Sequence, residues 1–242
     1  MARRGFAFLL ACVALISPIP ASADDLSTDT NIITGLDVSS SINAQEAQLQ
    51  IEGMAQAIRS PSILAAIQHG KHSRIGFAVF VWADGDCVEL IPWRVISSTQ
   101  EAEAAAAEIA ARLDGVLSNS TRFVGSLTNL SGAMEYAEAR LQAAPFNAER
   151  TVLNVVGNGQ DNVGESTERA RAALLSHGTT INGIVIGGDK RIVDYYREEV
   201  IGGPTAFVLS ANDAETMAQV FAMKFTTEIA LHAVAAPRPD RL

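Results

Sequence analysis

Residues 31–46, NIITGLDVSSSINAQE, join an apolar, strand-like run to the start of a helix. The apolar run ends at Asp37, and three serines follow it before the helical pattern begins. Asn43 with Glu46 three residues later matches a capping box, in which each side chain accepts a hydrogen bond from the other residue's backbone. Serines before a helix are usually caps, but Asn43 already fills that position. Asp37 and the serines therefore need another explanation.

Strand-like and helix-like segments alternate along almost all of residues 24–232. The runs RIGFAVFVWA and CVELIPWRVI flank Asp84-Gly85 and predict a hairpin, which puts one antiparallel strand at a sheet edge. The segment TQEAEAAAAEIAARL predicts a helix capped by Thr99. Such alternation predicts an α/β fold with an open, mainly parallel sheet and helices on both faces. We find no linker or repeat, so we expect a single domain over residues 24–232.

The two ends of the chain are expected to lie outside that domain. Residues 1–23 contain two arginines, an apolar stretch and a closing Ala-Ser-Ala. This pattern predicts a signal peptide that is cleaved after Ala23. Residues 233–242 are proline-rich and predict a flexible tail. No later segment is long and apolar enough to insert in a membrane. We therefore predict an exported protein, periplasmic or extracellular.

The charge of the chain argues against binding to polyanions. Its formal net charge is -9, and cleavage of the leader with its two arginines would lower it to -11. An acidic protein repels the phosphates of nucleic acids and of anionic membranes, so we expect it to bind neither. After cleavage one cysteine remains, Cys87, which excludes an internal disulfide.

A carboxylate and two hydroxyls come from alternate residues of the loop after the first strand: Asp37, Ser39 and Ser41. In open α/β sheets, ligands bind at the carboxyl ends of the strands. Alternate residues of a turning loop can point at one centre. A hard cation such as Mg²⁺ takes oxygen ligands in octahedral geometry and keeps some water. The Asp-x-Ser-x-Ser pattern therefore indicates a divalent-cation site.

This loop resembles the metal-ion-dependent adhesion site of von Willebrand factor A domains, whose sheet is of the kind predicted above. The resemblance implies a threonine from a second loop and an aspartate from a third. Thr128 in LTNLSGAM matches the threonine, although a helix cap is the alternative explanation. Asn158 stands where the family carries the acid. Its amide can still accept a hydrogen bond from a metal-bound water, but the lost charge should weaken binding. Asp161, three residues later, is a possible auxiliary acid.

A closer resemblance extends over nearly the whole chain after the leader. Its most distinctive stretches are DVSSSINAQE, AIQHGKHSRIGFAVFVWADGD and YYREEVIGGPTAFVLSANDAE, with IPWRVI and TTINGIVI between them. On these stretches the chain is identified as a member of an exported bacterial von Willebrand factor A-like family of unknown function (domain of unknown function, number eleven ninety-four). The family implies the fold but carries no established activity.

Three functional hypotheses follow. The first is a binding or adhesion module, in which Mg²⁺ or Mn²⁺ held by the loops is completed by an acidic side chain of a protein partner. The second is a metal-free interaction scaffold with a degenerate site at Asn158. The third is a metal-assisted hydrolase with Asp161 as its base. The sequence has no nucleophile elbow, phosphate loop or dinucleotide fingerprint, so we expect no enzymatic activity and favour the first hypothesis.

Overall fold

The structure is a computed structural model that describes residues 27–85, 87–112, 115, 126–163 and 166–230. The predicted signal peptide (1–23) and tail (233–242) lie outside the described residues.

Within the described ranges, six strands form one sheet. They are β1 Ser27–Asp37, β2 Ile75–Trp82, β3 Val88–Ile96, β4 Asn147–Gly157, β5 Thr180–Ile186 and β6 Val208–Ala211. Their order across the sheet is β3-β2-β1-β4-β5-β6. Strand β3 pairs antiparallel with β2 at one edge, and all other pairs are parallel. The predicted sheet with one antiparallel edge strand is confirmed.

Helices cover both faces of this sheet. They are α1 Ala44–Ile58, α2 Pro61–Gln68, α3 Thr99–Ala111, α4 Leu130–Gln142, α5 Thr167–Ser176, α6 Lys190–Tyr195 and α7 Ala214–Ala230. A π-helix, Tyr196–Val200, continues α6. Neighbouring residues of a strand point to opposite faces, so Ile32 packs in one hydrophobic cluster and Ile33 in the other. Helices α1, α2, α3 and α7 contribute to the first cluster, and α4 and α5 to the second.

The helix starts test two local predictions. The capping box is confirmed, because Asn43 Oδ1 accepts from the Glu46 N–H at 3.0 Å and Glu46 Oε2 accepts from the Asn43 N–H at 3.0 Å. The predicted cap at Thr99 is wrong. Ser98 has the extended backbone that a cap requires and accepts from the Glu101 N–H at 3.3 Å, so Thr99 is the first helical residue.

The strand order places a reversal point between β1 and β4. The chain leaves β1 toward β2 on one side, whereas β4 leads to β5 on the other. At such a switch point the loops after the two strands diverge and leave a crevice, which is where ligands bind in open α/β sheets. Asp37 ends β1 and Gly157 ends β4, so the predicted site residues lie at this crevice. None of the helices described is both long and apolar enough to cross a membrane.

Candidate metal centre at the switch point of the sheet

Asp37 is a fully buried acid with one oxygen unused. Its Oδ1 accepts the Ser39 N–H at 2.8 Å, while Oδ2 has no hydrogen-bond partner among the described residues. Burial raises the pKa of Asp37 from 3.8 to about 6, and the hydrogen bonds from Ser39 and from the backbone N–H of Asn158 oppose that rise only in part. No basic side chain in the described part of the chain is among the groups that influence this pKa. The ionised carboxylate therefore lacks a counter-charge.

Three hydroxyls gather beside this carboxylate. Ser39 Oγ and Ser41 Oγ are 3.0 Å apart, and Thr128 Oγ1 lies 3.4 Å from Ser39 Oγ. Ser39 and Thr128 are 2% and 3% exposed, although 89 residues separate them in the chain. The structure thus brings the first two predicted loops together, with their hydroxyl oxygens within hydrogen-bonding distance of one another.

Thr128 is not the cap of the helix that follows it. Asn129 has that task, because its Oδ1 accepts the backbone N–H of Gly132 at 2.8 Å. The backbone of Thr128 instead pairs with Asn162 of the third loop. Its N–H donates to Asn162 Oδ1 at 2.7 Å, and its carbonyl accepts the Asn162 N–H at 3.0 Å. The capping alternative for Thr128 is therefore excluded, and its hydroxyl points to the Ser39 hydroxyl of the first loop instead.

Asn158 is tied to the first loop by two hydrogen bonds. Its Oδ1 accepts the Ser41 hydroxyl at 2.7 Å, and its Nδ2 donates to the Ser41 carbonyl at 3.0 Å. An aspartate could make the first contact but has no N–H for the second. The amide therefore holds the first and third loops together without adding charge.

Asp161 anchors the third loop to the start of α4. Its Oδ2 accepts the N–H groups of Leu130 at 2.8 Å and Ser131 at 3.4 Å, and its Oδ1 accepts the Val163 N–H at 3.2 Å. An acid in this position is favoured by the partial positive charge of the helix N-terminus. Asp161 thus has a structural task that the sequence did not indicate.

Sequence analysis also missed three residues that adjoin Asp37, namely Gly157, Tyr196 and Gln50. A Cβ on Gly157 would lie 2.7 Å from the Tyr196 hydroxyl and 2.9 Å from Asp37 Oδ2, so only glycine fits there without displacing them. Gln50 Nε2 donates to the Asp37 carbonyl at 3.0 Å. The available sequence signal was a glycine at the end of a buried strand, which often marks a close approach of another group.

The donor set determines which ions the site could take. Within the described ranges there is no group of three or more His, Cys, Asp and Glu side chains suited to a metal. The site offers one carboxylate and several neutral oxygens instead. Oxygen ligands of this kind suit Mg²⁺ or Mn²⁺ better than softer ions. The buried Asp37 carboxylate without a counter-charge and the converging hydroxyls are consistent with such an ion.

Comparison with protein families gives one match. The family described as "Protein of unknown function (DUF1194)" matches residues 27–233. The chain belongs to this family. No curated protein sequence matches the chain.

Three solved structures show the von Willebrand factor A fold that this DUF1194 chain shares. A von Willebrand factor type A protein from Catenulispora acidiphila is 18% identical with a TM-score of 0.60, covering 84% of this chain and 43% of that one. Proximal thread matrix protein 1 from the mussel byssus, with its MIDAS (metal-ion-dependent adhesion site) motif occupied by zinc, is 20% identical with a TM-score of 0.57, and the match covers 84% of this chain and 46% of that one. The pilus adhesin SpaC from Lactobacillus rhamnosus GG is 10% identical with a TM-score of 0.59, covering 84% and 31%. The chain thus spans less than half the length of each.

Proposed function

We propose that this protein is an exported binding module of the adhesion type, which engages a protein partner through a divalent cation, Mg²⁺ or Mn²⁺. Asp37, Ser39, Ser41 and Thr128 would hold the ion. The observation that carries the proposal is the meeting of three hydroxyls beside the buried Asp37 carboxylate, which has no counter-charge. A cation there would supply the counter-charge that Asp37 lacks.

The charge of this site favours an acidic ligand. Asp37 is the one acid among the proposed ligands, so a bound divalent ion keeps a net positive charge. The Asn158 amide beside it is neutral and does not reduce that charge. We infer that a carboxylate from the partner protein completes the coordination, since an ionised oxygen is the strongest ligand that a protein surface offers to a hard cation. The mussel protein with zinc in its MIDAS motif and the pilus adhesin support a role of this type for the fold.

Binding is a better proposal than catalysis. The hydrolase hypothesis needs a base near the ion, and Asp161 was its candidate. The Asp161 carboxylate already accepts three backbone N–H groups with its two oxygens, so it is committed to anchoring the third loop rather than to activating a water.

One observation favours the metal-free scaffold as a second candidate. The two hydrogen bonds between Asn158 and Ser41 give the loops a closed arrangement that does not need an ion. In this alternative the amide has replaced the ion as the link between the first and third loops. The protein would then bind its partner through surface shape alone.

Thermal unfolding with and without ions separates these candidates. Wild type, Asp37→Ala and Asn158→Asp are each compared in EDTA and in millimolar Mg²⁺ or Mn²⁺. The exposed Glu52→Ala variant is the control for the loss of one acid outside the site. We expect both ions to raise the melting temperature of wild type and Glu52→Ala, and to have no effect on Asp37→Ala. No shift in wild type together with a shift in Asn158→Asp would show the metal-free scaffold instead.

A further inference from the structure

The hydroxyl of Tyr196 adjoins the proposed cation site and has no assigned task. Tyr196 is fully buried, and its hydroxyl has no hydrogen-bond partner among the described residues. The same is true of Asp37 Oδ2. Both atoms lie within 3 Å of the position that a Cβ on Gly157 would take, at 2.7 Å and 2.9 Å. An unused donor and an unused acceptor therefore share one buried space.

The fold contains a slot that brings the Tyr196 ring to this place. Its walls include Gly157 at the end of β4 and Gly183 in the neighbouring strand β5. A Cβ on Gly183 would lie 2.7 Å from Cδ1 of the Tyr196 ring, so a side chain at either glycine would collide with the tyrosine. The sheet thus accommodates the Tyr196 ring only because two adjacent buried strands each have a glycine at the point of contact.

The backbone of Tyr196 is unusual as well. Tyr196 is the first residue of the π-helix, and its carbonyl accepts the Ile201 N–H at 2.9 Å. π-Helical turns are rare, and those that occur are frequently found at functional sites. The π-helical backbone and the two glycines of the sheet therefore both constrain the position of the ring.

We propose that Tyr196 is a positioning residue of the cation site, whose hydroxyl donates a hydrogen bond to Asp37 Oδ2 when the ion is bound. This inference rests on the proposed function. A hydrogen bond to an ionised carboxylate is stronger than one between neutral groups, and it favours the charged form that a cation requires. It also fixes the rotation of the carboxylate and thus keeps the other oxygen on the side of the serine hydroxyls. Tyr196 thereby holds the Asp37 carboxylate in place, while the loop residues coordinate the ion.

Ion affinity in the Tyr196→Phe variant tests this role, because phenylalanine keeps the ring and removes only the hydroxyl. Titration calorimetry with Mn²⁺ and Mg²⁺ compares it with wild type. We expect the loss of one hydrogen bond to a charged group to lower ion affinity roughly 10- to 100-fold. Tyr136→Phe is the matched control, since this half-buried tyrosine of α4 packs at a tilt against Phe80 and lies outside the site. Its ion affinity should equal that of wild type.

The melting temperature in EDTA distinguishes positioning from simple packing. A structural hydroxyl would stabilise the ion-free protein, and Tyr196→Phe would melt at a lower temperature. An unpartnered buried hydroxyl costs free energy, so we expect the variant to melt at the wild-type temperature or above it. Reduced ion affinity with an unchanged or raised melting temperature supports the inference. Equal ion affinity in wild type and Tyr196→Phe overturns the role of Tyr196 but leaves the proposed cation site intact.

A measurement on wild type avoids dependence on the variant. The tyrosine doublet of the Raman spectrum changes its intensity ratio when a phenol hydroxyl begins to donate a hydrogen bond. Adding Mg²⁺ or Mn²⁺ should change this ratio in wild type and leave it constant in Tyr196→Phe. An ion that binds without changing the ratio overturns the role of Tyr196. If wild type binds neither ion, the proposed function fails, and this inference fails with it.

Discussion

The buried charge of Asp37 leads to a prediction that is opposite to the usual effect of removing a site residue. At pH 8 without ions, we expect Asp37→Asn to be more stable than wild type. Burial without a counter-charge raises the pKa of Asp37 from 3.8 to about 6, so the folded protein holds this carboxylate at a cost. The neutral amide of asparagine avoids that cost and can direct its N–H toward the unpartnered Tyr196 hydroxyl.

The size of the effect follows from the linkage between protonation and folding. Because the pKa is higher in the folded state, the Asp37 contribution to stability is complete below about pH 3.8 and is lost as the pH rises through about 6. The difference between these two values corresponds to about 3 kcal/mol. Placing an amide in the same space has its own cost, so we expect Asp37→Asn to gain about 1–3 kcal/mol over wild type at pH 8. Below pH 4 the gain should disappear.

Urea unfolding between pH 4 and pH 8 in EDTA measures this difference, and other titrating groups cancel between wild type and variant. Asp29→Asn is the matched control. Asp29 is equally buried, but its Oδ1 and Oδ2 accept the backbone N–H groups of His72 and Arg74. Its replacement should destabilise the protein throughout the range. In saturating Mg²⁺ the order of wild type and Asp37→Asn should reverse. A loss of stability in Asp37→Asn at pH 8 in EDTA would refute the argument that the Asp37 charge is uncompensated.

Three further predictions concern the surroundings of the site. Asn158→Asp should lower the ion-free stability by about 1–3 kcal/mol in urea unfolding, because it breaks the hydrogen bond to the Ser41 carbonyl. The same variant should bind Mg²⁺ more tightly in titration calorimetry. Gly157→Ala should cost about 1–3 kcal/mol in urea unfolding and weaken ion binding, since its Cβ would meet the Tyr196 hydroxyl at 2.7 Å. Glu228→Gln, on the buried ion pair with Lys224, should cost about 3–5 kcal/mol but leave the ion-induced shift in melting temperature unchanged.

The fold was predictable because its signals are local and repeated. Alternating apolar runs and helical spacing indicated the sheet and its two helical layers, and the Asp84-Gly85 turn indicated the antiparallel edge. The errors arose where backbone conformation departs from the apolar pattern. TAFVLSA predicts a strand from Thr205, but Thr205 has a φ of 61°, which a strand excludes, and β6 begins at Val208. RIVDYYREEV predicts one helix, whereas the structure changes to a π-helix at Tyr196.

Only those parts of the candidate site that lie within one short loop, or that match the family pattern, could be predicted from the sequence. Asp37, Ser39 and Ser41 belong to one short pattern, and the family resemblance added Thr128. The approach of Tyr196 to Asp37 depends on the packing of α6 and its π-helical extension against the sheet, which no periodicity encodes. The sequence revealed that Asn158 is neutral where the family has an acid, but it did not reveal the two hydrogen bonds between Asn158 and Ser41. Contacts between distant segments therefore account for most of what the sequence left out.

The neutral side chain at position 158 changes how ion and partner depend on each other. With a second acid, the ligands would neutralise a divalent ion, and a partner carboxylate would gain little from it. With Asn158, an ion bound as proposed would retain a positive charge and be held less tightly, so an incoming carboxylate would be attracted more strongly and would also improve retention of the ion. Because coupling between two ligands is reciprocal, each should raise the affinity of the other by the same factor. Under the proposed function, the departure at Asn158 would therefore do more than weaken a metal site, because it would make occupancy by the ion depend on the presence of the partner.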